Sequence, residues 1–76
     1  MSKTYNDILS TEQKKEILNA RILQFARDAY QYNLNLKAAE LIASSDQIES
    51  IKKSLEVLEA AISVHQKELD ELPPNS

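Results

Sequence analysis

The sequence predicts an all-α protein: an antiparallel hairpin of two long helices that follows a short helical turn. The 76 residues contain no glycine, which the tight turns of β-hairpins usually need. Apolar residues recur at alternating intervals of three and four, which is the period of a helix and not of a strand. A run of small polar residues interrupts this pattern once, near residue 45, where two helices can be joined.

The first long helix is predicted from about Thr11 to Ala43. Ser10 and Gln13 have the spacing of a capping box, and Glu12 lies in the first turn, where negative charge suits the helix dipole. Beyond the first turns, the apolar positions that would face the second helix are Leu18, Ile22, Phe25, Ala29, Tyr32, Leu36, Ala39 and Ala43.

A single helical turn is predicted upstream of the long helix. Thr4 and Asp7 have a capping spacing, and the turn would run through Ile8 and Leu9. We expect these two apolar side chains to fold against the hairpin. Residues 1–9 therefore form an N-terminal segment of a single domain, residues 1–76, since a chain of this length holds only one.

The second helix is predicted over 46–72, ended by Pro73 and Pro74, with a short tail at 73–76. Its seam keeps the same alternation of three and four without a miss. Only one member, His65, is not apolar. The positions are Ile48, Ile51, Leu55, Leu58, Ile62, His65, Leu69 and Leu72.

The two seams differ in phase, because five residues separate Ala43 from Ile48. This shift predicts a break at residues 44–46; a single kinked rod is the alternative. Ser44 with Gln47, or residue 46 with residue 49, would cap the second helix. Since no glycine is available for the turn, we expect a serine to adopt the left-handed conformation there.

A second apolar stripe on the first helix predicts a protein–protein interface. Leu23, Tyr30, Leu34 and Leu41 lie roughly 150° around the helix from the seam, and Arg27 and Lys37 complete their spacing of 4, 3, 4, 3, 4. Aligned apolar residues of this kind on a monomer tend to associate. We expect a homo-oligomeric bundle, with packing as in a coiled coil, or a foreign protein partner. The alternative is that residues 1–9 cover part of the stripe.

Charge is unevenly distributed and acidic overall. Residues 1–39 carry six basic and four acidic groups, whereas residues 40–76 carry three basic and eight acidic groups. Antiparallel pairing of two hairpins could set these unlike regions against one another. The net charge of −3 and the lack of a recognised motif argue against nucleic-acid binding, which is kept as a further alternative.

The residue types present exclude most enzymatic chemistry. Without cysteine there is no thiolate metal site, and without glycine there is no phosphate-binding loop. We therefore expect no enzyme activity, no catalytic residues, no metal site and no cofactor. His65 could be a pH-sensitive joint, because histidine titrates near neutrality; a packed, hydrogen-bonded histidine is the alternative.

One small-ligand function remains open. Lys14, Arg21 and Arg27 of two protomers could converge on a compact anion such as a nucleotide, which arginine and lysine bind well. The alternative is ordinary solvated helix charge. No apolar run is long enough to span a membrane, and residues 1–6 lack a signal-peptide core, so a cytoplasmic protein is expected.

Several stretches of the chain resemble small uncharacterised proteins of tailed bacteriophages, in particular T4-like phages of marine cyanobacteria. The resemblance extends over about two thirds of the chain, and residues 5–14, 20–31 and 58–66 carry it most plainly. It includes no catalytic or ligand motif. It implies an accessory protein of the host cytoplasm that serves virion assembly, host takeover or inhibition of host defence. The architecture is also similar to phage proteins that oligomerise and sequester cyclic nucleotides, although no binding residue matches.

Overall fold

The computed structural model describes residues 4–73, and within that range all regular structure is α-helical. Helix α1 is Tyr5–Ile8, α2 is Thr11–Leu41 and α3 is Ser45–Asp70. The two long helices pack against each other as a hairpin, in a rod of 57 × 23 × 15 Å. The predicted all-α hairpin after a short turn is confirmed. The predictions for residues 1–3, Pro74 and the last two residues lie outside the described range.

The two N-terminal capping patterns form as predicted. The carboxylate of Asp7 accepts hydrogen bonds from the backbone N–H of Thr4 at 3.4 Å and from its hydroxyl at 3.1 Å. At the start of α2, Ser10 Oγ accepts from the backbone N–H of Gln13 at 3.1 Å, and Gln13 Oε1 accepts from the backbone N–H of Ser10 at 2.9 Å. These bonds satisfy backbone donors that a helix start leaves without a partner.

Helix α1 packs only partly on the hairpin. Leu9 is half-buried at the open end, close to Leu18 and Leu72. Ile8 remains exposed, so the prediction that both apolar side chains fold against the hairpin is wrong for Ile8. Helix α1 has only four residues, so only one of its sides can face the hairpin.

The connection between α2 and α3 is a Schellman turn. Helix α2 ends at Leu41, two residues before the predicted end, and Ala43 adopts the left-handed conformation with φ of 55°. The N–H of Ser44 donates to the carbonyl of Ala39 at 3.1 Å, and the N–H of Ala43 donates to the carbonyl of Glu40 at 3.2 Å. This pair of bonds defines the motif. The prediction that a serine takes the left-handed position is wrong.

Helix α3 begins one residue earlier than predicted and ends two residues earlier, at Asp70. Ser44 is at its N-cap position, but the Ser44 side chain makes no capping hydrogen bond, so neither predicted capping box forms. The Schellman turn explains the shift, because helical backbone resumes at Ser45, after the left-handed Ala43 and a single extended residue, Ser44. Glu71 is the C-cap residue of α3, and Pro73 lies beyond it.

The seam between α2 and α3 follows the predicted positions, but the core is thin. Among the described residues only Ala39 and Thr11 are buried, and most seam side chains are half-buried. Tyr32 and Ala43 are exposed, contrary to the predicted seam. Two helices can cover only one side of each other, so much of the apolar surface of this hairpin stays in contact with solvent.

Candidate interaction surface

The predicted second stripe lies open on α2. Leu23, Tyr30 and Leu34 expose 53, 58 and 50% of their surface, and Leu41 exposes 88%. We call these four residues the outer stripe. Arg27 and Lys37 lie between them along the helix and are also exposed. The helical period that points the seam towards α3 points the outer stripe away from it.

The N-terminal segment does not cover the outer stripe. Within the described range, residues 4–9 lie at the open end of the hairpin, where Tyr5, Leu9, Lys14, Ile17 and Glu68 line a cleft of about 190 Å³. That cleft opens beside the start of α2, well before Leu23. The alternative in which this segment shields the stripe therefore finds no support from residues 4–9.

Further apolar side chains are exposed elsewhere on the hairpin. Val57 and Val64 flank the seam of α3, and both are more than half exposed. Ile42 and Tyr5 are exposed as well. Ile42 was not predicted as a surface residue. Its position directly after Leu41, where the helical spacing of the outer stripe ends, is a signal that could have identified it.

His65 makes one ring-nitrogen contact within α3 and a second one that joins α3 to α2. Its Nδ1 lies 2.6 Å from the carbonyl oxygen of Ala61, and its Nε2 accepts a hydrogen bond of 2.9 Å from Nε of Arg21. A carbonyl can only accept and a guanidinium can only donate. The imidazole must therefore be neutral, with its proton on Nδ1.

Phe25 completes this cluster. The rings of Phe25 and His65 meet edge to face, with centroids 4.9 Å apart and planes inclined by 73°. The guanidinium carbon of Arg21 lies 5.2 Å from the centroid of the Phe25 ring, within cation–π range. The interpretation of His65 as a packed, hydrogen-bonded residue agrees with these contacts. A pH-sensitive role remains a prediction, taken up in the Discussion.

The three predicted anion-binding residues do not share one face of a single protomer. Lys14 and Arg21 are seven residues apart, two helical turns, and so lie on the same side of α2. Arg27 belongs to the row of the outer stripe instead. Lys14 and Glu68 line the same cleft at the open end, and that carboxylate reduces the attraction for an anion there. Any anion site formed by all three residues requires a second protomer.

No group of three or more His, Asp or Glu side chains between residues 4 and 73 could hold a metal ion. A cleft of about 540 Å³ lies near the turn, and Asn35, Ile42, Asp46 and Ser50 are among its lining residues. Between residues 4 and 73, no helix is long and apolar enough to cross a membrane.

No family model matches this chain, and comparisons with curated proteins and with solved structures find no significant similarity. The functional argument therefore rests on the surface chemistry of the hairpin itself.

Proposed function

We propose that this chain is a non-enzymatic helix–helix association module that acts in assembly or protein interaction through the outer stripe of α2. The observation that carries the proposal is the alignment of Leu23, Tyr30, Leu34 and Leu41, each at least half exposed, on the side of α2 away from α3. The resemblance to small phage proteins implies the same broad class, an accessory protein that works by binding.

The free energy gained by burying apolar side chains favours association through the outer stripe. Fully burying a leucine side chain stabilises by about 1.5–3 kcal/mol, and a domain of this length has only a few kcal/mol of stability to draw on. The outer stripe offers four large side chains of which half or more is still exposed. A second helix laid along them would add a contribution comparable to the stability of the isolated hairpin.

Light scattering behind size exclusion, over a concentration series, tests the proposal. We expect the chain to exceed its monomer mass of 8.6 kDa, and Leu34→Asp to restore that mass, because a carboxylate buried without a partner is costly. Val57→Asp is the control, since Val57 is also exposed, at 69% against 50% for Leu34, but lies on α3. We expect it to leave the assembly intact.

Two results would contradict self-association through the stripe. One is a wild-type chain that stays at monomer mass at high concentration. The other is a Leu34→Asp variant as large as the wild type, which would move the interface elsewhere. In the first case, a pull-down that compares wild type with Leu34→Asp tests whether a foreign protein occupies the same surface.

A second candidate function, binding of a small anion such as a nucleotide between protomers, rests on Arg21. His65 and Phe25 hold its guanidinium in place at the surface, and a fixed guanidinium loses less entropy when it binds an anion. A thermal-shift panel of nucleotides tests this, because a ligand that binds the folded state raises Tm. We expect Arg21→Ala to abolish any shift without changing the mass of the assembly.

A further inference from the structure

The outer stripe has a self-complementary spacing. Leu23 and Leu41 lie nine residues either side of residue 32, and Tyr30 and Leu34 lie two residues either side of it. When a second α2 is laid antiparallel with a two-fold axis beside residue 32, Leu23 faces the partner's Leu41 and Tyr30 faces the partner's Leu34. Each copy then presents the same surface to the other, as a two-fold interface requires.

We infer that the outer stripe is covered by the outer stripe of a second copy of this chain, with the two α2 helices antiparallel and α3 of each copy on the outside. This inference rests on the proposed function and adds the occupant, the direction and the register. The resulting dimer is a row of four helices whose central pair buries the stripe.

The exposed surface area of the chain is large enough for an interface with a second copy. The chain exposes 6031 Å², whereas a compact folded monomer of 8.6 kDa is expected to expose about 4,700 Å². The excess is roughly 1,300 Å² per chain on that scaling, and a standard interface buries about 800 Å² on each partner. A dimer through one long helix pair fits within this excess.

Charge and dipoles favour the antiparallel direction. Glu16 lies seven residues before Leu23, so it continues the row of the stripe by two turns. A parallel pair would set Glu16, Arg27 and Lys37 each against its own copy, and like charges across an interface are unfavourable. In the antiparallel pair, Glu16 lies beyond the end of the partner's α2. The two helix dipoles also point in opposite directions, which is favourable.

Two symmetry-related like-charge contacts remain in the antiparallel pair. Arg27 shares a level with the partner's Lys37, and Lys37 with the partner's Arg27, since these positions are also equidistant from residue 32. Both side chains are exposed and long, so their apolar stems can cover the leucines while the charged ends reach solvent. The two basic residues thus lie within the row of the stripe, between its apolar members.

Disulfide trapping tests the direction and register, and the natural chain is suited to it because it has no cysteine. The variants are Leu23→Cys and Leu41→Cys, with an affinity tag on one of them. We expect mild oxidation of the co-expressed pair to give predominantly the mixed disulfide. Each variant alone should cross-link poorly, because like positions in the antiparallel pair are about 27 Å apart, far beyond disulfide reach.

Each other outcome overturns a defined part of the inference. If each variant cross-links to itself and the mixture gives only the statistical proportion of mixed disulfide, the helices are parallel. If light scattering under reducing conditions shows a dimer but no combination cross-links, the register is wrong. In both cases the proposed association module stands. If the wild type and both variants are monomers at every concentration, the proposed self-association itself fails.

Discussion

Nε of Arg21 donates a hydrogen bond of 2.9 Å to Nε2 of His65, a residue 44 positions further along the chain and on the opposite helix. It is a direct polar link between α2 and α3, and the bond requires a neutral imidazole. The protonation state of one side chain therefore decides whether the two helices share this bond or present two facing cations.

Arg21 and His65 should be energetically coupled. In a double-mutant cycle with Arg21→Ala and His65→Ala, we expect a favourable coupling of about 0.5–1.5 kcal/mol, the usual contribution of such a hydrogen bond. Urea unfolding of the wild type, the two single variants and the double variant measures it.

Imidazole nitrogen chemical shifts provide an independent check of the same bond. We expect the spectrum to report a proton on Nδ1 and none on Nε2. A proton on Nε2, or a coupling energy of zero in the double-mutant cycle, would mean that Arg21 does not donate to this ring in solution.

Replacement of Ala43 by glycine should stabilise the hairpin. A left-handed backbone costs an L-residue about 1–2 kcal/mol, and part of the gain is lost because glycine raises the entropy of the unfolded chain. We expect a net increase of about 0.5–1 kcal/mol in the free energy of unfolding. Thermal unfolding at matched protein concentration measures it. Ala60→Gly, at an exposed position inside α3, is the control and should be destabilising by about 0.5–1 kcal/mol.

The two serines that precede the long helices should respond differently to alanine. The hydroxyl of Ser10 accepts from the backbone of Gln13, so we expect Ser10→Ala to destabilise by about 1 kcal/mol. The side chain of Ser44 makes no capping bond to α3, so Ser44→Ala should change stability by less than about 0.5 kcal/mol. Equal losses would show that Ser44 caps α3 in solution.

Thermal stability should depend on protein concentration. If the outer stripe is buried by association, Tm of the wild type rises with concentration, because assembly stabilises the folded state by mass action. Leu34→Asp should remove this dependence and lower the plateau Tm, whereas Val57→Asp should retain the dependence. Calorimetry over a hundred-fold concentration range measures both, and a wild-type Tm that stays constant would argue for a monomer.

Local rules predicted the elements of this fold well. The alternation of three and four placed the seam residues of both helices, and the spacing of Ser10 and Gln13 located the start of α2 to the residue. The outer stripe was also predicted from the helical spacing of apolar residues alone, and its four members are exposed as predicted. Each of these features depends on neighbours within one or two turns of the same helix.

Features that depend on the meeting of the two helices could not be predicted in this way. Ala43 takes the left-handed position because of where the Schellman bonds to Ala39 and Glu40 close, and its side chain gives no signal for that conformation. Tyr32 has the right spacing for the seam but is exposed. The axial alignment of the two helices determines which α2 residue meets His65. Local spacing rules do not predict this alignment.

The position of Ala39 has a consequence for how the chain folds. It is the one buried apolar residue of the described range, and its carbonyl accepts the bond that closes the turn, so the most buried apolar side chain lies at the turn between the two long helices. Closing a short loop is entropically inexpensive, and contacts near the turn can therefore form before the distant ones. We expect the hairpin to close from the turn towards the open end, with amide exchange slowest beside Ala39 and fastest near Leu9.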